Sequence, residues 1–357
     1  MTGRAKRAIG LLDEAGVDAL LVTDLVNVRY LTGYTGSNGL AVIGESVCAF
    51  VTDFRYVEQA AQEVGSEFDR LRGERDLLEA VEEPLPGGAI RLGFEEAVMS
   101  VRQHRRLREL LPERVELVGV VGLIERLRAV KDPAEVGSMQ RAAALADDAL
   151  RWVLERGLIG RTERAVALEL EQRIRSLGAE DPSFPAIVAG GAHGALPHAS
   201  PRDVAISSGD LVVIDWGARV DGYNSDCTRT IAAGPLDEEA AWVYGVVLEA
   251  QLAGVDAVGP GAGGREVDSA ARSVISDAGY GSQFGHGLGH GVGLEVHEDP
   301  RLSQRSDDVL SVGNAVTVEP GIYLPGRLGV RIEDLVVVTD DGCKILSSIS
   351  KELTVVD

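Results

Sequence analysis

Two stretches constrain the fold of this chain more than any others: LVVIDWGARVDGYNSDCTRTIAAG (211–234) and AVTVEPGIYLPGRLGVRIEDLVVV (315–338). Each reads as strand, turn, strand, and each sets acids beside apolar runs of the kind found in buried strands. A hairpin turning between Val220 and Asp221 places Asp215 opposite Asp226, or one diagonal away if the register slips. One centred on Gly326 places Glu319 opposite Glu333. Like charges so placed repel, and an unpaired carboxylate on a buried strand is costly. Four carboxylates in two matching pairs therefore point to cations, and two divalent ions bridged by carboxylates would resolve the repulsion.

The segment GHGLGHGVGLEVHEDP (285–300) gathers three of the six histidines, His286, His290 and His297, on a backbone with glycine at alternate positions. His290 supplies a nitrogen ligand beside the four acids, and the glycines leave room for substrate or for close backbone packing. The histidine spacing is not the H-E-x-x-H of a helical zinc site, because Pro300 and Arg301 follow His297 and Glu298. Four carboxylates with one imidazole form an oxygen-rich set that suits manganese or cobalt, with zinc also admitted.

Around these motifs the chain divides in two. The first third alternates strand and helix signals: strands at 18–23 and 89–96, a hairpin over 39–53, and helices at 55–64 and 101–111. That alternation indicates a smaller α/β domain, residues 1–122. Asp132, Pro133 and Glu135 then make a helix start, and residues 123–357 read as two long helices, strands, two more helices (236–258 and 264–280) and strands. GPGAGG (259–264) satisfies a dinucleotide-binding pattern but joins two helices, where a strand should come first. The formal charge of −21 argues against nucleic acid or an anionic membrane as the main partner. No run approaches the length of a membrane span, and no secretory leader is recognisable. Three scattered cysteines suggest neither a disulfide framework nor a thiolate metal site, so a reduced cytoplasm is the expected location.

Taken together, DWG…DCTRT, GHGLGHGVGLEVHE, VEPGIY and RIED resemble the M24 metallopeptidases of pita-bread fold, specifically the Xaa-Pro peptidases, prolidase and aminopeptidase P. The likeness continues through KDPAEVGSMQRA, ALPHA (195–199), NVRYLTGYTGSNG (27–39) and TDFRY (52–56), and so covers nearly the whole chain. It implies an α+β architecture: a pita-bread catalytic domain preceded by a creatinase-type α/β domain. It also implies two divalent metal ions per chain, manganese first and cobalt or zinc as alternatives, held by Asp215, Asp226, His290, Glu319 and Glu333. Methionine aminopeptidases usually lack the large amino-terminal domain and the arginine that stands here as Arg331, while creatinases do not keep the ligands.

The implied reaction is hydrolysis of the imide bond of Xaa-Pro dipeptides by a water activated between the two metals. Glu319 would shuttle the proton, with His198 and His297 stabilising the oxyanion or lining the proline pocket. His286 would line the same pocket, and Arg301 and Arg331 would offer a fork to the substrate carboxylate. Removal of the first residue from longer Xaa-Pro peptides is the alternative, and a non-catalytic binding role is a further one. A homodimer is also implied, with no nucleic-acid or membrane partner.

Overall fold

The computed structural model describes residues 3–357, which divide into two compact units, 3–128 and 129–357. Among the described residues of the first unit, α1 (Gly3–Ile9), β1 (Ala19–Val22), α2 (Leu25–Thr32), β2 (Leu40–Gly44), β3 (Val47–Thr52), α3 (Val57–Glu63), β4 (Asp69–Arg72), β5 (Ile90–Glu95), α4 (Val101–Leu110) and β6 (Val115–Val120) surround one six-stranded sheet. Its order is β4-β3-β2-β1-β5-β6, with β1–β2 and β2–β3 antiparallel and the other pairs parallel. The sheet's apolar runs close on Leu21, Val42, Val51, Leu92 and Leu107.

The expected division at 122/123 falls later, because α5 (Leu123–Ala129) belongs almost wholly to the first unit. Asn27 donates to Glu125 at 2.7 Å and accepts from Arg128 at 2.8 Å, and the Tyr30 hydroxyl donates to the Leu127 carbonyl. A new helix starts where Asp132, Pro133 and Glu135 predict one. Residues 130–132 separate α5 from it, since Pro133 lacks an N–H and biases its predecessor away from helix. Asp132 then caps α6 (Pro133–Leu154) through the backbone N–H groups of Ala134 and Glu135, and the Glu135 side chain returns the bond.

The second unit contains two similar halves, each a helix pair followed by a hairpin. In the first, α6 and α7 (Glu163–Ser176) precede β7 (Asp181–Pro182), β8 (Ile187–Gly190), β9 (Asp210–Trp216), β10 (Ala218–Val220), β11 (Tyr223–Asn224) and β12 (Cys227–Ala233). The helices pack on this sheet through Leu150, Val153, Leu170, Ile214 and Trp216, whose indole N–H reaches the Ala146 carbonyl. In the second, α8 (Glu238–Asp256) and α9 (Gly264–Asp277) precede β13 (Gly289–Gly291), β14 (Glu298–Leu302), β15 (Ala315–Val318), β16 (Gly321–Leu324), β17 (Leu328–Arg331), β18 (Asp334–Thr339) and β19 (Gly342–Ile345), with β20 (Val355–Val356) joining β12. GPGAGG is the turn between α8 and α9, as its context predicts. No helix among the described residues is long and apolar enough to cross a membrane.

Both hairpins are interrupted at their acids. In the second, β15–β18 and β16–β17 share the expected register about Gly326, and Glu319 and Glu333 stand in the gap between the two ladders. The first takes the slipped alternative. Asp221 (φ 52°) and Gly222 (φ 83°) form a two-residue loop with both residues left-handed, and that loop type sets the register: Asp215 faces Thr228. Asp226 lies two residues before Thr228, diagonal to Asp215 rather than opposite it.

Candidate active site

Both broken hairpins deliver their acids to one cavity of about 490 Å³ in the second unit. Its wall includes all ten residues expected from the sequence: Asp215, Asp226, His290, Glu319 and Glu333, then His198, His286, His297, Arg301 and Arg331. Ligand atoms of Asp226, His290 and Glu333 lie within 4.8 Å of one another, and His290 Nε2 is 3.4 Å from Glu319 Oε1 and 3.8 Å from Asp226 Oδ2.

Local bonding aims these groups. His290 Nδ1 lies 3.0 Å from the Gly291 carbonyl, so Nδ1 carries the proton and the Nε2 lone pair turns to the acids. Thr317 accepts from the His290 backbone N–H and donates to Glu319 Oε1 at 3.1 Å. Thr228 does the same work on the other hairpin, accepting from Arg331 Nε at 2.9 Å and donating to Glu333 Oε2 at 2.6 Å. Asp215 Oδ2 takes Arg331 Nη2 at 2.6 Å, while Asp215 Oδ1 is buried without a hydrogen-bond partner.

Electrostatically the cluster is incomplete as a set of bare side chains. Burial raises all four carboxyls, and mutual repulsion pushes Asp226 and Glu333 well above the carboxylate range; Arg331 opposes the rise at each. Glu319 is pushed up to about 7. Burial also lowers His286 and His290 to about 4, so both rings are neutral at physiological pH and able to ligate or accept. An orphaned buried oxygen, four crowded acids and a neutral imidazole lone pair fit divalent cations, whose charge would let every carboxylate ionise.

The two arginines differ. Arg331 was expected to offer its fork to a substrate carboxylate, but it is 3% exposed and enclosed by Asp215, Thr228, the Pro197 carbonyl and the Tyr323 hydroxyl. An aligning role for the acids suits it better. Arg301 is half-exposed at the cavity, with its nearest carboxylate, Asp299, at 3.7 Å. His297 packs its ring 4.4 Å from that of His290, and His198 stands exposed at the rim.

Several contributors went unnoticed in the sequence. Tyr323 donates to His286 Nε2 at 2.9 Å while accepting from Arg331, and Phe184, Ile187 and Val296 supply apolar wall. Alternation was the available signal for the threonines, since Thr228 follows Asp226 by two positions and Thr317 precedes Glu319 by two. The glycines at 289 and 291 serve backbone packing rather than substrate: a Cβ there would meet the Thr317 and Asp299 carbonyl oxygens at 1.9 and 2.3 Å. Cys227 is buried in the apolar core and its thiol reaches the Glu333 carbonyl.

Residues 137–340 match metallopeptidase family M24, and residues 4–130 match the creatinase/prolidase N-terminal domain. The chain is 38% identical to an Xaa-Pro dipeptidase of Pyrococcus horikoshii over 99% of both chains. Among solved structures it superposes on an Xaa-Pro dipeptidase from Bacillus anthracis with a TM-score of 0.95 at 40% identity, covering 99% of each chain. On an X-Pro aminopeptidase from Thermotoga maritima the TM-score is 0.91 at 35% identity, over 99% of this chain and 100% of that one.

Proposed function

Because the chain belongs to metallopeptidase family M24, we propose that it hydrolyses the imide bond of Xaa-Pro dipeptides. The observation that carries this reading is the convergence of four acids and the His290 lone pair on one cavity, with Asp215 Oδ1 buried and without a hydrogen-bond partner among the described residues. Asp215, Asp226, His290, Glu319 and Glu333 would hold two divalent cations, and their oxygen-rich chemistry favours manganese or cobalt, with zinc admitted. Bound there, such cations supply Lewis acidity that makes water nucleophilic near neutral pH and polarises the scissile carbonyl.

The chain's own groups supply the rest. Glu319, oriented by Thr317, takes the proton from the attacking water and returns it to the proline nitrogen. That nitrogen belongs to a tertiary amide without an N–H, so it must be protonated to leave. His198 and His297 face the cavity as donors for the carbonyl oxygen as it becomes anionic, and His286 closes the proline side with Tyr323. Arg301, half-exposed at the cavity and only loosely paired with Asp299, would pair with the proline carboxylate. The family likeness implies a homodimer, and the three free cysteines favour a reducing cytoplasm; light scattering of the purified chain and fractionation of cells would test the two.

A second cavity of about 440 Å³ adjoins the first at Pro197, His198 and His286, and continues past Tyr323 to Gln283. It favours a second reading, an aminopeptidase that accommodates residues beyond proline. Chain stripped of metal and reloaded with manganese separates the two on Ala-Pro, Ala-Pro-Ala and a longer Xaa-Pro peptide. Cleavage of Ala-Pro alone supports the dipeptidase, and release of the first residue from the longer peptides supports the aminopeptidase. Absence of metal-dependent cleavage of all three overturns both and leaves a binding role.

A further inference from the structure

We propose that Glu163 is a positioning residue: its carboxylate closes the segment 190–202 into a fixed arm and so sets where His198 stands at the cavity. The inference rests on the part assigned to His198 above. Glu163 is the first residue of α7 and is 1% exposed. Its Oε1 accepts from the Gly190 N–H and from Arg202 Nη2, both at 3.0 Å. Its Oε2 accepts from the Arg202 backbone N–H at 2.9 Å and from Arg202 Nε at 3.1 Å. His193 Nδ1 lies 3.0 Å from both oxygens.

None of this is needed to begin the helix, because the Thr162 hydroxyl already caps α7 through the Ala165 N–H. Nor is it needed to anchor the downstream end of the arm. There the chain already runs beside 160–164, with Glu163 N–H bonded to the Val204 carbonyl and Arg164 N–H to the Arg202 carbonyl. The upstream end is likewise held, since Gly190 closes β8 opposite Val212; what the carboxylate adds is a direct tie between the two ends. Gly190 and His193 are drawn onto the same two oxygens as Arg202, closing the loop between them.

The contents of that loop give the closure its consequence. The Pro197 carbonyl accepts Arg331 Nη1 at 3.1 Å, and Gly194 lies so close to β17 that a Cβ on Gly329 would meet its carbonyl oxygen at 1.8 Å. Among the described residues no side chain hydrogen-bonds the His198 ring, so its place is inherited from the backbone on either side. Burial works against the Glu163 charge, but Arg202, the two backbone N–H groups and His193 together hold the carboxyl below its ordinary range. The clamp is therefore a carboxylate with several donors, a geometry that neutral replacements do not reproduce.

The experiment is a double-mutant cycle on the manganese-loaded full chain, reading kcat and KM for Ala-Pro with His198→Ala, Glu163→Ala and the pair. His198→Ala is expected to lower kcat about 100-fold. Glu163→Ala should lower it about 10- to 100-fold, and the pair should be no slower than His198→Ala alone. Losses that multiply overturn the proposal while leaving the role of His198 intact; an inert His198→Ala overturns that role and the proposal with it. Amide hydrogen exchange gives a readout independent of turnover: Glu163→Ala should speed exchange within 190–202 and leave β9 and β12 protected, and unchanged exchange there overturns the proposal. Should Glu163→Ala fail to fold, Arg202→Ala removes the half-exposed partner alone. It should show a smaller loss with the same dependence on His198, and no loss would count against the clamp.

Discussion

Thr228 spends one hydroxyl on two charged neighbours, taking the Arg331 Nε proton and giving its own to Glu333. Thr228→Val keeps the shape and leaves both partners unsatisfied in a buried site, which costs more than the bond itself contributes. The expected outcome is a loss of about 10- to 100-fold in manganese affinity and a similar fall in kcat/KM for Ala-Pro, with the fold retained. Titration calorimetry and kinetics on the same preparation check it. Arg301 acts at the other end of the substrate. A carboxylate held equally in ground and transition states affects KM and spares kcat, so Arg301→Ala should raise KM for Ala-Pro about 10- to 100-fold. The same change should leave the amidated substrate Ala-Pro-NH2 almost untouched. An equal penalty on both substrates would remove Arg301 from carboxylate recognition.

The element that carries His290 is the three-residue strand β13, threaded between β14 and β15. Gly289→Ala would press a methyl into the Thr317 carbonyl and force β13 away from β15. Such overpacking costs about 1–3 kcal/mol, or roughly 5 °C in Tm, and His290 moves with the strand. His290→Ala, by contrast, should lose manganese binding with little change in Tm of the metal-free chain; thermal melts of the two variants separate these outcomes. The second hairpin was legible to the residue because nothing disturbs its register from Gly326 to Ala315. The first was legible only to within one residue of register, since Asp221 is a non-glycine residue in a left-handed conformation, whose φ the sequence does not display. The four acids and His290 were nonetheless legible, the acids from hairpin spacing and apolar flanks and the histidine from its glycine-rich run. The Glu163 clamp was not, because its partners lie 27 to 39 residues away and meet only after the helix pair packs on its sheet. For the same reason Arg331 looked free in the sequence, its enclosure coming from Asp215 and Pro197 on distant segments.

For the molecule as a whole, the acid cluster ties stability to pH and to metal. Asp215, Asp226, Glu319 and Glu333 all have raised pKa values when bare, so the folded chain keeps protons that the unfolded chain has released. From about pH 4, where unfolded carboxyls titrate, upward to about pH 7 for Glu319, the native state binds more protons, and burial with mutual repulsion raises Asp226 and Glu333 in the same direction. Stability from these groups is therefore lost as pH rises. His286 and His290 act in the opposite sense up to about pH 6.5, because burial keeps them neutral in the folded chain down to about 4. Subtracting metal-free from manganese-loaded melting temperatures removes that contribution, as both rings are neutral in either form. Cations take the place of the retained protons, so the difference isolates the carboxylates. The Tm advantage of the loaded protein should be small at pH 5 and grow by roughly 5 °C or more by pH 8, each kcal/mol counting for about 2–4 °C. A constant advantage across that range would mean that the carboxylates are already ionised without metal, and that Arg331 and the two threonines suffice to hold four charges together.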